Sequence, residues 1–135
     1  MSGPRLRQEL SDLALVAAGA VPAALLRWQL DLRLIPAALQ AWVDRNLPAN
    51  LLACLLIGLL LVQPPPRARL LLWGGIGFCG SLSTFSTWIL QVTRSLQAGL
   101  LPQGLVMLLL PLPLGLGCIC LGRWLGRHHR AVDRN

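Results

Sequence analysis

Residues Gly74 to Trp88 read Gly-Gly-Ile-Gly-Phe-Cys-Gly-Ser-Leu-Ser-Thr-Phe-Ser-Thr-Trp, and how this chain folds turns on them. Four glycines and five hydroxyl side chains fill fifteen positions inside a charge-free stretch that runs from Leu70 to Thr93. Two readings fit such a run. Small residues and hydroxyls are the usual contacts where two membrane helices press together, so the run can be a packing seam. It can also be a broken helix, in which glycine lets the backbone unwind and the freed carbonyls line a cavity or an ion site under cover of protein or water.

Working outward, the rest of the chain is built for lipid. Of 135 residues, 55% are hydrophobic and 13% charged, against about 45–50% and about 25% in soluble domains, and the mean hydropathy is +0.62. Charge-free runs extend from Leu13 to Leu26, Asn46 to Pro66, Leu70 to Thr93 and Ser95 to Gly122. Each can hold one span of about 20 residues. This predicts an all-α membrane protein, a single four-span domain over 1–135 with spans at about 9–28, 47–64, 70–93 and 100–122. Arg5 and Arg7 ahead of the first run would also suit a signal peptide, but Arg27 and Trp28 after it make a better interfacial end than a cleavage site. Pro64, Pro65 and Pro66 close the second run, and Trp42, Trp73 and Trp124 also fall near run ends.

All twelve basic residues are arginines, set against five acidic ones for a net charge of +7. They stand singly or in pairs at the ends of apolar runs, which suits headgroups of membrane lipids and excludes a nucleic-acid-binding stripe. With four spans, Arg5, Arg7, Arg67, Arg69, Arg123, Arg127, Arg130 and Arg134 share the face of the termini, while Arg27, Arg33, Arg45 and Arg94 share the other. Eight against four predicts both termini inside.

Little conventional chemistry is available. The four charge-free runs hold no Asp or Glu, which removes the usual proton-coupling group of a small exporter. His128 and His129 lie in the basic tail, the four cysteines lie in apolar stretches, and no nucleophile-base arrangement can be built from buried positions, so the chain is expected not to be an enzyme. Asn50, at the start of the second run, offers two N–H donors without a charge. It is either glue between helices or a group that solvates a small anion.

Taken together these residues resemble the CrcB/Fluc fluoride channels. That family's helix break reads roughly Gly-Phe-Cys-Gly-Gly-Leu-Thr-Thr-Phe-Ser-Thr-Phe, and residues 77–88 read GFCGSLSTFSTW. The second run resembles Asn-x-x-Gly-Ser-Phe-x-x-Gly, keeping Asn50 and Gly58, and the first keeps Arg27 from Gly-Gly-x-x-Gly-Ala-x-x-Arg. The resemblance implies a break in the third helix, an antiparallel dual-topology-type dimer with fluoride pores, and a structural Na+ at its centre. Carried over by position, Asn50, Phe85, Ser86, Thr87 and Trp88 would line the pore, and the main-chain carbonyls of Gly80 and Ser83 would hold the sodium. The implied place is the bacterial plasma (inner) membrane, crossed several times. Trp88 departs from the family's second phenylalanine, Gln91 from a frequent Glu, and Met107 and Pro111 from a tyrosine and serines that form a polar track.

The function expected is a channel or channel subunit that lets fluoride leave the cell passively, as a homodimer or beside an oppositely oriented paralogue. The alternatives are a proton-coupled multidrug-type exporter and a membrane assembly factor without transport.

Overall fold

A computed structural model describes residues 3–63 and 68–132. The chain is helical, with no strand among the described residues. Helix α1 is Gly3–Arg33 and α2 is Leu47–Leu60. The third helix, α3, covers 68–82 in one winding: Ala68–Leu70, a π-helical stretch Leu71–Cys79, and a last turn Gly80–Leu82. Helices α4, Ser86–Gln97, α5, Leu101–Leu109, and α6, Pro111–Val132, follow.

Among the described residues two helical segments can cross a membrane by length and composition, Arg5–Leu30 with a mean hydropathy of 1.6 and Leu101–His129 with 2.3. Leu47–Leu60 is apolar but shorter, about 21 Å at 1.5 Å per residue. Large apolar side chains face outward on several helices, Leu13, Ile76 and Leu116 among them. The buried cluster is made of small side chains instead, with Ala23, Ala49 and Ala53 around Cys79 and Leu82. Water would reverse that arrangement, because it drives the bulkiest apolar groups inward; between helices in lipid, small residues let the backbones close up.

Glycine sets two of those approaches. Helix α1 lies along α3 so tightly that a Cβ on Gly77 would meet the Val16 carbonyl oxygen at 2.5 Å, and one on Gly19 would strike the Trp73 carbonyl. Helix α2 lies along α6 in the same way through Gly58 and Gly122. The π-helical winding belongs with the first of these contacts: the Gly80 N–H reaches back five residues to the Gly75 carbonyl and also to that of Gly77. Wide turns of this kind recur at functional positions.

The chain reverses at Gly99, whose φ of 75° only glycine adopts without strain. Around it Leu100 N–H donates to the Ser95 carbonyl at 2.9 Å and Gly99 N–H to Leu96 at 3.0 Å, a Schellman close to α4. That turn folds α5 back along α4, and at Gly104 the two are so close that a Cβ would meet Leu96 Cδ2 at 2.6 Å. The stretch from Gln29 to Arg45 contributes the end of α1 and a series of turns, and it buries Asp44, whose Oδ1 accepts from Asn46 Nδ2 at 3.4 Å.

Candidate functional site

The polar residues gather where α3 ends and α4 begins. The last helical N–H of α3 is that of Ser83, which donates to the Cys79 carbonyl at 3.0 Å, and the Ser83 hydroxyl makes a second bond to the same carbonyl, also 3.0 Å. Ser83 itself is extended, with φ −79° and ψ 153°. Thr84 would next close a turn onto the Gly80 carbonyl. Its N–H donates instead to Asn50 Oδ1 at 2.8 Å, and its carbonyl accepts from Asn50 Nδ2 at 3.2 Å. The Asn50 side chain thus satisfies both main-chain groups of one residue outside the helices.

This geometry decides what each candidate offers. Asn50 has committed its acceptor and one of two N–H donors, so one N–H remains for a ligand. Because Thr84 N–H turns to Asn50, the Gly80 carbonyl is released from its expected helical donor. Gly80 is exposed, and a Cβ there would meet only the Gly75 carbonyl at 3.8 Å, so nothing inside the single chain requires glycine at this position. Gly80 opens the last turn of α3 and Ser83 follows it, with the Ser83 hydroxyl spent on the Cys79 carbonyl. Neutral carbonyl oxygens at the C-terminal end of a half-helix suit a hard monovalent cation, and the residues present fit the sodium that the resemblance implies. No cluster of three or more His, Cys, Asp or Glu occurs among the described residues.

On the other side of the interruption, Phe85 precedes the first turn of α4 and is 68% exposed. Trp88 meets it edge to face, the ring centroids 5.3 Å apart at 73°. The hydroxyls of Thr84 and Thr87 lie 2.7 Å apart. Ser86 and Thr87 open into a cavity of about 320 Å³ shared with Arg27, Trp28 and Asn46. A neighbouring cavity of about 380 Å³, lined by Arg45, Asn46, Thr87, Gln91, Arg94 and Ser95 among others, meets it at Thr87 and Asn46. The structure therefore brings Ser86 and Thr87 under the field of three arginines, and ties Asn50 to Phe85 through Thr84.

Two functional features escape a reading along the chain. Thr84 carries no signal of its own, since its part is played by the backbone. Arg27, Arg45 and Arg94 read as membrane flanks, yet each lines one of the two polar cavities; a shared sign of charge on one face was the only hint. The indole N–H of Trp88 donates to the Met107 carbonyl at 2.7 Å.

The sequence is similar to those of known proteins. Residues 14–123 match the family described as CrcB-like protein, Camphor Resistance (CrcB). A protein of Parasynechococcus marenigrum (strain WH8102) named Fluoride-specific ion channel FluC 2 is 50% identical over 130 residues, covering 96% of this chain and 91% of its own length. Synechococcus sp. (strain CC9902) has a FluC 2 that is 46% identical over 128 residues, 94% of this chain and 88% of that one. The same strain has a Fluoride-specific ion channel FluC 1, 34% identical over 121 residues, 87% of this chain and 94% of that one.

Proposed function

This chain belongs to the CrcB-like protein family, and on that premise we propose that it is a fluoride-specific channel subunit that releases fluoride from the cell without coupling to another gradient. The observation that carries the reading is the Asn50–Thr84 pair, which holds a neutral donor, two hydroxyls and an aromatic edge together at one helix interruption in an apolar chain. Fluoride keeps its water tightly, so a pore that admits it needs several weak donors in series, none strong enough to trap it. Asn50 Nδ2, the hydroxyls of Ser86 and Thr87 and the positive edge of Phe85 are such a series. Arg27, Arg45 and Arg94 raise the local concentration of anions at its mouth.

The working assembly is an antiparallel dimer in the bacterial inner membrane, each chain crossing four times. One Na+ at its centre is held by the main-chain carbonyls of Gly80 and Ser83, joining the two chains and not passing through. The exposed Gly80 supports this, since a glycine with no packing need inside the chain is explained by a close approach outside it. An oppositely oriented paralogue is the partner. The arginine bias favours one orientation, and a strain that has a FluC 2 similar to this chain has a FluC 1 as well. The test is fluoride efflux from liposomes holding the purified chain, alone and with a paralogue. No fluoride current in either preparation overturns the reading.

A further inference from the structure

Two departures from the family pattern, Trp88 and Pro111, lie on different helices, and one hydrogen bond joins their consequences. In a continuous helix the carbonyl of Met107 accepts the N–H of the residue four places on. That residue is Pro111, which has no N–H and whose ring pushes the same carbonyl aside. The adjacent donor is committed, since Leu110 N–H goes to the Val106 carbonyl at 2.9 Å. Met107 is 4% exposed, so its carbonyl has little bulk water to turn to. The group that does is the Trp88 indole, at 2.7 Å. Seven residues further along the same face of α4, the Ser95 hydroxyl donates to Met107 Sδ at 3.6 Å. Helix α4 thus holds Met107 at both its main chain and its side chain.

The bond orients the indole. A tryptophan at position 88 tied by its N–H to α5 cannot turn, and its ring is the one that meets Phe85 edge to face at 5.3 Å. Phe85 is otherwise largely exposed. We propose that Trp88 is a positioning residue: its indole N–H replaces the helix bond that Pro111 deletes, and this fixes the ring edge that Phe85 turns toward the anion. Phenylalanine at 88 would have no donor for Met107. Tryptophan at 88 and proline at 111 therefore form one unit, and each is tolerated because of the other. The inference rests on the channel reading for its second half, the role at Phe85, and on geometry alone for its first half.

A double-mutant cycle separates the two halves. The parent, Trp88→Phe, Pro111→Ala and the pair together are purified, alone and with a paralogue, and read for melting midpoint, fluoride efflux and the preference for fluoride over chloride. Trp88→Phe alone should melt earlier, lose about fivefold or more in efflux and discriminate less. Adding Pro111→Ala, which returns an N–H to Met107, should restore all three. Benzothienylalanine at 88, which keeps the bicyclic shape and removes the donor, should behave as Trp88→Phe does and be rescued in the same way. Effects that simply add, or a Trp88→Phe protein equal to the parent, overturn the pairing. Rescue of the melting midpoint without rescue of the fluoride preference overturns the positioning role and leaves only a structural bond. A parent that passes no fluoride in either preparation overturns the channel reading and the role at Phe85 with it, while the melting cycle still decides the Trp88–Met107 bond.

Discussion

Asn50 and Thr84 are joined by two hydrogen bonds in opposite senses, Thr84 N–H to the Asn50 carboxamide oxygen at 2.8 Å and the Asn50 amide to the Thr84 carbonyl at 3.2 Å. One side chain on α2 thereby stands in for a helical neighbour to the residue that follows α3. The same exchange turns the Thr84 N–H away from the Gly80 carbonyl, so the Asn50 side chain and the last turn of α3 meet at Thr84.

Replacing Asn50 separates those roles. Asn50→Ala removes both partners of the part-buried Thr84 main chain, and at about 0.5–1.5 kcal/mol for each hydrogen bond it lowers stability by about 1–3 kcal/mol. A lower melting midpoint in detergent, together with lost efflux, is the expected result.

Asn50→Asp keeps the acceptor for Thr84 and puts a negative charge beside the path. Two like charges about 4 Å apart at an effective dielectric of about 20 repel by about 4 kcal/mol, or roughly a thousandfold in flux. Liposome efflux checks this. Conduction equal to the parent's would remove Asn50 from the path.

Glycine positions should split into two classes by where their cost appears. Gly77→Ala and Gly58→Ala drive a Cβ into the Val16 and Ile119 carbonyls, so both should reduce the yield of folded chain. Gly80→Val meets nothing comparable inside the chain. It should leave helicity by circular dichroism near the parent's and lose dimer on a sizing column. Replacing sodium by a bulky organic cation should have the same effect on the parent. A Gly80→Val protein with normal dimer yield and normal efflux would discard the sodium assignment.

Arg94→Gln removes one charge from the larger polar cavity beside Thr87. Fluoride efflux at low ionic strength should fall a few-fold, on the order of the steering effect of a single charge, and the difference should shrink as salt is raised past about 0.15 M, where screening acts within about 8 Å. A deficit that is independent of salt would assign Arg94 to structure.

A reporter at the C-terminus of the chain expressed alone should report mostly one side of the membrane, following the eight-to-four arginine bias. Fluoride resistance should then need the paralogue. An even split with resistance restored by this gene alone would show that copies of one chain suffice.

Several parts of this protein were legible along the chain. Apolar excess, scattered arginines and the absence of carboxylates from the apolar runs follow from composition and pattern, because lipid as a solvent penalises charge at every position in the same way. The glycine and hydroxyl run from Gly74 to Trp88 marked the polar centre, and the twelve residues from Gly77 carried the family likeness. Helix ends were less legible. Helix α1 continues to Arg33, past the arginine and tryptophan that mark its apolar end, since a helix outlasts its apolar stretch wherever its hydrogen bonds are met.

Membrane residence, helical composition and the location of the polar cluster are thus properties of the sequence by itself, being sums over local preferences. Which atoms the polar groups spend on one another is not. Asn50 stands 34 residues from Thr84 and Trp88 stands 19 from Met107, and hydrogen bonds that cross between helices depend on how those helices pack. Only the tertiary structure decided that Asn50 binds both main-chain groups of Thr84, that the Thr84 N–H leaves the Gly80 carbonyl, and that the Trp88 indole N–H meets the Met107 carbonyl. A hydrogen-bond donor has one direction at a time, and in a packed bundle the direction is set by the nearest unsatisfied carbonyl.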